Sequence, residues 1–505
     1  MATRKEKMRF TLKRFRNFLR TVASQPRGLV GIGIISLFVV VAIIAPLLTP
    51  HDPYYDMYLS GDYGMPSWIR LFPGGESRSE NLFAVADSNI DFANALNDWN
   101  ITKNSEKINV FFSPVHGSPI SGPGSIVIEY NREFGESAKT VEIALEKQFK
   151  YPYIDSPKRF ACNLSTLIKG VEGLQAVEIK LKCIRINKNA SIDTFHLWSF
   201  DTTTSMGLWL TPTEIDSYSR GIKQMFGGIL DPAAIIFNSS ISDTFIYRIE
   251  FSIIDVDVTE RINSLIYLDD VNFIMLGNSY GLLGTDQFGR DIFSQLIYGA
   301  RISLTVGLFA AVLGVVIGLF IGVVAGYVGS VVDEVLMRFT DMLLVLPGLP
   351  LLLVLIAVLG PSLWNLITLI GLLGWMSFAR VVRSQVLSLK ERPFIEAAKA
   401  IGAGKFYTIM KHIIPNVVSL VYVSLALSVP SAILSEAALS WLGLFDPSVT
   451  SWGRMLHDAM ASERSVDKWW WIGPPGLCIA ILSMSFILIG YAIDDILNPR
   501  LRQRR

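Results

Sequence analysis

Uncharged apolar stretches divide the chain into segments of two kinds. The first stretch, Leu29 to Leu48 (LVGIGIISLFVVVAIIAPLL), is 20 residues long, the length a helix needs to cross a hydrocarbon core of roughly 30 Å. Five more follow after Arg301: Ile302 to Tyr327, Met342 to Leu359, Leu363 to Met376, Val417 to Leu439 and Trp471 to Ile493. The pattern predicts an α-helical polytopic membrane protein with six transmembrane helices. From Pro50 to about Leu283 no run is long enough to span. Alternating apolar and polar residues there predict half-buried strands at Ser125 to Tyr130, Thr140 to Leu145, Ala176 to Ile186, Thr244 to Val258 and Leu265 to Met275. Short strands separated by Gly, Pro, Asn and Ser turns, without βαβ alternation, predict an inserted all-β sandwich or jelly-roll-like domain.

Charge orients this plan. Nine basic residues (Arg4, Lys5, Lys7, Arg9, Lys13, Arg14, Arg16, Arg20 and Arg27) against Glu6 precede the first apolar run, so the N-terminus is expected in the cytoplasm and the insertion outside. Arg380 to Lys411 holds seven basic residues against Glu391 and Glu396, and the tail carries Arg500, Arg502, Arg504 and Arg505; both are expected on the cytoplasmic side. A cleaved signal peptide competes for the first run, but that run is longer than a typical signal core and no A-x-A-like site follows it. An uncleaved anchor is the preferred reading.

The whole chain is 51% hydrophobic and 18% charged over 505 residues, which excludes a disordered or purely soluble protein. With 45 basic and 44 acidic residues, no global field attracts nucleic acid. Three cysteines, without C-x-x-C or Cys/His clustering, exclude a disulfide framework and a zinc site. Two of them, Cys162 and Cys183, fall in the insertion, where an oxidising compartment would permit a disulfide; paired buried thiols are the alternative. Sequons stand at Asn100, Asn163, Asn189 and Asn238. Asp269 and Asp270 read as solvated carboxylates on an edge strand. As neighbours on a strand they point to opposite faces and do not form a catalytic pair.

Inside the membrane runs, Gly314, Gly318, Gly322 and Gly326 recur at every fourth residue and predict a face for close helix packing. Pro347, Pro350 and Pro430 interrupt later runs. Glu436 reads either as a carboxylate hydrogen-bonded to a neighbouring helix or as a proton-coupling group. Trp469, Trp470 and Trp471 read as an interfacial anchor.

One segment carries the functional signal. In PFIEAAKAIGAGKFYTIMKHIIPN the residues predict a helix to Ile401, a break at Gly402 to Gly404 and a second helix running into Pro415. Glu396-Ala397-Ala398, Gly402, Ile414 and Pro415 resemble the E-A-A loop signature of binding-protein-dependent ABC importer permeases. Ile414 takes the place of that signature's leucine and His412 the place of its isoleucine. LLGTDQFGRD resembles the G-T-D-x-x-G-R-D element of the dipeptide, oligopeptide and nickel branch through Gly284, Thr285, Asp286, Gly289, Arg290 and Asp291. SEAALSWLGL, SWGRML and WWWIGPPG resemble the same branch. The likeness covers residues 280 to 505 closely and 1 to 49 loosely, and does not cover the insertion. Asn498-Pro499-Arg500 departs from that branch's frequent D-P-R ending. Leu265 to Met275 (LIYLDDVNFIM) resembles the closing strand of jelly-roll carbohydrate-binding modules.

The resemblance implies a transport subunit. It divides the chain into a cytoplasmic N-terminus (1–28), a first span (29–48), an extracellular β-rich insertion (50–283), a permease core with five spans (284–498) enclosing the cytoplasmic loop 380–415, and a basic tail (499–505). No G-x-x-x-x-G-K-[ST] loop occurs, so the chain has no nucleotide cradle of its own. By the resemblance, ATP and magnesium belong to two partner ATPase subunits. The other implied partners are a second homologous permease, an extracellular substrate-binding protein and membrane lipid. The expected cargo is a dipeptide or oligopeptide. Oligosaccharide import is the variant within the class, and a membrane-anchored glycan-binding surface protein the alternative outside it.

Overall fold

The computed structural model describes residues 20–86, 93–120, 122–136, 139–171, 174–212, 215–228, 231–255, 261–462 and 468–497. The basic residues before Arg20, the Asn498-Pro499-Arg500 ending and the arginine tail lie outside these. The chain forms two compact units, Met57–Arg290 and the remainder on either side of it.

Ten strands build the first unit: β1 (Leu82–Val85), β2 (Asn100–Lys103), β3 (Ile108–Ser113), β4 (Ser125–Arg132), β5 (Val141–Lys150), β6 (Arg159–Lys169), β7 (Ala176–Ile186), β8 (Ile192–Thr202), β9 (Thr244–Ile254) and β10 (Ile262–Leu276). They form two five-stranded sheets, in the orders β2-β5-β9-β7-β8 and β1-β10-β4-β3 with β6 on β10. All the strand pairs are antiparallel. Strict alternation in β9 buries Phe245, Tyr247, Ile249, Phe251 and Ile253. Across the sandwich Tyr247 stacks on Phe273 of β10 with ring centroids 4.8 Å apart. Cys162 on β6 and Cys183 on β7 face this same core as free, fully buried thiols, not as a disulfide. Burial pushes both thiols up from their ordinary value.

Two expectations are corrected here. β10 is a central strand, paired with β4 and β6, so Asp269 and Asp270 are buried rather than solvated. The register slips between Asp269 and Asn272 and Asp270 adopts φ 51°, the signature of a bulge. There the Ser118 amide donates to Asp269 Oδ2 at 2.6 Å and the Ser165 hydroxyl donates to Asp270. β1, β2, β3, β6 and β8 fall where no strand is expected. Buried residues run unbroken from Leu164 to Ile168 in β6, which masks its period, while β8 lies at a sheet edge and buries little.

One buried ion pair locks the sandwich. Arg132 and Asp255 side chains are both fully buried, with Nε donating to Oδ2 at 2.5 Å. The Tyr130 hydroxyl donates to the same oxygen at 2.7 Å, and burial, then this hydrogen bond, push its phenol up.

In the second unit the helices are α1 (Pro26–Leu48), α2 (Ile292–Val328), α3 (Ser330–Val345), α4 (Gly348–Leu359), α5 (Leu363–Gly374), α6 (Met376–Lys390), α7 (Pro393–Ala400), α8 (Lys405–Thr408), α9 (Ile414–Trp441), α10 (Trp452–Ala461) and α11 (Trp469–Leu497). Five stretches among the described residues are long and apolar enough to span: α1, α2, α5 with α6, α8 through α9, and α11. The expected span Met342 to Leu359 is no single rod, because α3 and α4 meet at 89°. Pro347 is the cause. It forces the preceding Leu346 out of the helical region, to ψ 133°. Pro350 sits harmlessly in the first turn of α4, and Pro430 lies inside α9.

The glycine face packs as expected. A Cβ built on Gly318, Gly322 or Gly326 would lie 2.8, 2.6 and 2.9 Å from the carbonyl oxygens of Trp375, Ala379 and Arg383, and one on Gly314 would lie 3.2 Å from that of Gly371. Only hydrogen leaves room for α2 to lie against α5 and α6 at that distance. The tryptophan reading is corrected: Trp470 and Trp471 are buried in the bundle, and only Trp469 is exposed.

Replacing Asp255 by alanine strands a buried guanidinium and is expected to destabilise the sandwich by about 3–5 kcal/mol. The check is amide exchange over residues 125–132 and 262–268 in the purified full chain; unchanged protection would contradict it.

Candidate functional site

The E-A-A segment is a short amphipathic helix held against the bundle. Pro393 occupies its first turn, where a missing N–H costs nothing. Ile395 and Ala398 point inward, and Ile395 packs in one cluster with Tyr327, Val382, Val386, Leu389 and Ile413. Glu396 and Ala397 point outward. Gly402 ends the helix at φ +86°, letting the Ala403 amide donate to Ala398 O and the Gly402 amide to Lys399 O, each at 3.0 Å. This double closure demands a left-handed residue, the conformation glycine adopts without strain.

The second helix does not stop at Pro415 as expected. α8 passes through a π turn at Ile409–Ile413 directly into α9. A proline clashes with the carbonyl four residues earlier, and the wider π turn ahead of Pro415 accommodates it. His412 lies between Phe394 and Tyr407, at ring-centroid distances of 6.3 and 5.9 Å. Ile401 is 87% exposed and Phe406 78%, beside exposed Phe394, Tyr407 and Met410. These exposed apolar side chains form a patch at the amphipathic helix and the turn that follows it.

The loop is tied to the rest of the bundle. α6 leads into α7 through Glu391 and Arg392. Arg383 of α6 holds Asp333 of α3 with two hydrogen bonds, Nε to Oδ1 at 2.5 Å and Nη2 to Oδ2 at 2.7 Å, a fork-to-fork pairing. Arg380 pairs with Asp341 one face further along.

The G-T-D-x-x-G-R-D residues are structural. In the β unit Thr285 Oγ1 donates to Gly61 O at 2.6 Å and accepts from the Gly64 amide at 2.7 Å. Asp286 holds Arg290 Nε at 2.7 Å and accepts the Phe288 and Arg290 amides. Gly284 and Gly289 both have positive φ, and a Cβ on them would strike Gly64 O and Ser60 O. In the membrane unit Asp291 caps α2, accepting from the Ser294 amide at 2.9 Å and the Ser294 hydroxyl at 2.6 Å.

Glu436 is buried near the far end of α9 from the loop. Its Oε1 accepts the hydroxyls of Ser440 at 2.8 Å and Ser451 at 2.7 Å, while Oε2 has no partner among the described residues. Ser451 caps α10, so Glu436 ties α10 to α9. The next residue, Trp452, is fully buried; its Nε1 donates to Leu296 O at 2.9 Å and its ring meets Phe38 edge-on at 5.5 Å. The hydrogen-bonded reading of Glu436 therefore describes the geometry.

A cavity of about 520 Å³ opens in the membrane unit between α2, α4, α5, α6 and α9. Ser424, Ser428, Ser431 and Ser435 of α9, at helical spacing, and Ser377 of α6 are in its lining. No charged residue lines it. Sequence reasoning passed over these serines because hydropathy averages them away, although their i, i+4, i+7, i+11 spacing was readable.

A bundle of spanning helices, an exposed E-A-A segment and an uncharged cavity are the architecture of a membrane transport subunit. Residues 290–503 match the family model for the binding-protein-dependent transport system inner membrane component, and residues 13–66 match the N-terminal TM domain of oligopeptide transport permease C. The dipeptide transport system permease protein of Bacillus subtilis (strain 168) is 39% identical over 44% of this chain and 69% of its own length. The glutathione transport system permease protein of Shigella flexneri serotype 5b (strain 8401) is 40% identical over 43% of this chain and 72% of its own. The chain belongs to the binding-protein-dependent permease family of ABC importers. It is a transport subunit and not an enzyme, with ATP handled by partner subunits. Residues 67–289, most of the β unit, fall outside both family models. A solved xylan-binding domain covers 36% of this chain and 89% of its own length at 10% identity and a TM-score of 0.21, a likeness too slight to bear on function.

Replacing Glu436 by alanine removes the acceptor of two buried hydrogen bonds, each worth about 1 kcal/mol, and is expected to speed amide exchange in α10 roughly tenfold or more. Glu436→Gln keeps an acceptor oxygen and should hold the rate near that of the parent. Exchange in the alanine variant equal to the parent's would overturn the tether.

Proposed function

We propose that the chain is the permease subunit that passes dipeptides or oligopeptides, delivered by an extracellular binding protein, across the cell membrane. The observation that carries this reading is the docking helix: a rigidly capped turn, held from behind by Ile395, that presents Glu396 and an apolar rim of Phe394, Ile401, Phe406 and Tyr407. In this reading α7 seats in a groove on an ATPase subunit. Nucleotide-driven closure of the ATPase pair then pulls α7 and rocks α6 with it. Glu396 orients the helix, the outward-facing Ala397 permits close approach, and Gly402 sets the turn, while Ala398 faces the bundle and not the partner. Ile414 and Pro415 start the following span.

A second homologous permease completes the pathway. Both termini and the docking loop face the cytoplasm, the bent pair α3 and α4 makes one crossing, and the β unit is carried on the outer side. The names of the relatives, which include dipeptide and glutathione permeases, support a peptide cargo over a sugar.

Gly402→Pro imposes a negative φ and deletes the donor to Lys399 O, and Glu396→Arg reverses the charge on the outward face. Either is expected to abolish ATP-driven uptake in proteoliposomes while membrane insertion stays intact. Gly402→Ala meets open space and carries only the left-handed strain of about 1–2 kcal/mol, so it should retain part of the uptake. Normal uptake by the proline and arginine variants would refute the docking role.

A further inference from the structure

Four of the five cavity hydroxyls are unusual for serines in a membrane helix. Such a hydroxyl normally satisfies itself by donating to the carbonyl four residues back, as Ser435 does to Ser431 O at 2.8 Å. Ser377, Ser424, Ser428 and Ser431 make no side-chain hydrogen bond among the described residues, and all four line the void. Unpaired polar groups at membrane depth are costly unless water or a solute meets them.

The opposite rim carries a backbone break. Gly348 begins α4 immediately after the 89° bend, and a Cβ on Gly348 or on Gly374 of α5 would meet nothing within 4 Å. Broken backbone at this depth is tolerated where it is buried in protein or lines a water-filled cavity. A void of about 520 Å³ also lies within the usual range of small-ligand sites.

We propose that this cavity is the solute contact of the subunit during transit, and that it selects extended solutes through uncharged hydrogen-bonding groups. The proposal rests on the transport reading above and adds the chemistry of recognition. From Ser424 to Ser435 the ladder rises roughly 16 Å along α9, the length of about five residues of extended peptide. A peptide's backbone amides, or the hydroxyls of an oligosaccharide, match such a wall. Ionic side chains find no counter-charge there, so their recognition falls to other parts of the transporter. The rival role for a serine face, packing against a helix of the second permease, fits less well: it leaves the break at Gly348 and the void unexplained.

The test uses the assembled transporter, with its ATPases, second permease and binding protein, in proteoliposomes. Ser428→Cys and Ser431→Cys are each made in a background carrying Cys478→Ser, and a small water-soluble methanethiosulfonate is the probe. Both cysteines are expected to react, and penta-alanine is expected to slow the reaction at least tenfold under turnover. Val429→Cys, on the buried side of α9, should stay unreactive. Protection by xylopentaose instead of penta-alanine would keep the site and overturn the peptide reading. Failure of both cysteines to react in every nucleotide state, or ready cross-linking to the second permease without solute protection, would overturn the site itself. So would reaction that a demonstrably imported solute leaves unchanged.

Discussion

The membrane unit depends on one close approach, that of α2 to α5 and α6 across the glycine face. Side chains there would collide with main-chain carbonyls at 2.6 to 3.2 Å, so the contact is backbone against backbone and allows no intermediate spacing. Without a hydrophobic driving force between helices in lipid, such packing is a main source of association. Its position gives it consequence. The same α2 supplies Ala310, Ala311 and Gly314 to the cavity, and the same α6 leads into α7. In the proposed mechanism, a displacement of α7 passes to the cavity wall through this contact.

The two units solve stability by different means. In the β unit an aromatic core of Phe160, Tyr247, Phe251 and Phe273 is buried, its β9 members placed by strict alternation, and the Arg132–Asp255 pair is buried with it. In the membrane unit, polar side chains cap helices and tie neighbouring ones together. Asp291 caps α2, Ser451 caps α10 under Glu436, and Arg383 grips Asp333.

How much of this was legible depended on the physical signal. The spans, the β insertion and the helix break at Gly402 follow from run length, period-two alternation and the left-handed demand of a helix end. Pro347 was legible as an interruption, but run length alone joined the segments it separates; the rule that a residue before proline leaves the helix would have parted them. β6 was hidden because burial on both faces erases alternation. Asp269 and Asp270 were misread because a bulge is invisible to a pattern that assumes regular pleat. Trp470 and Trp471 were placed at an interface by residue type, whereas packing turned them inward. The serine wall was missed by averaging, and the unsatisfied state of its hydroxyls needed coordinates.

The most direct measurement of the account is the ratio of stimulated to basal ATP hydrolysis in the assembled transporter carrying Gly322→Leu, with and without loaded binding protein. A leucine there must displace the Ala379 carbonyl, 2.6 Å from a Cβ at that position, and separate α2 from α6. ATPase subunits are expected still to co-purify, and the ratio is expected to fall toward one. A ratio equal to that of the parent transporter would show that coupling does not pass through the glycine face.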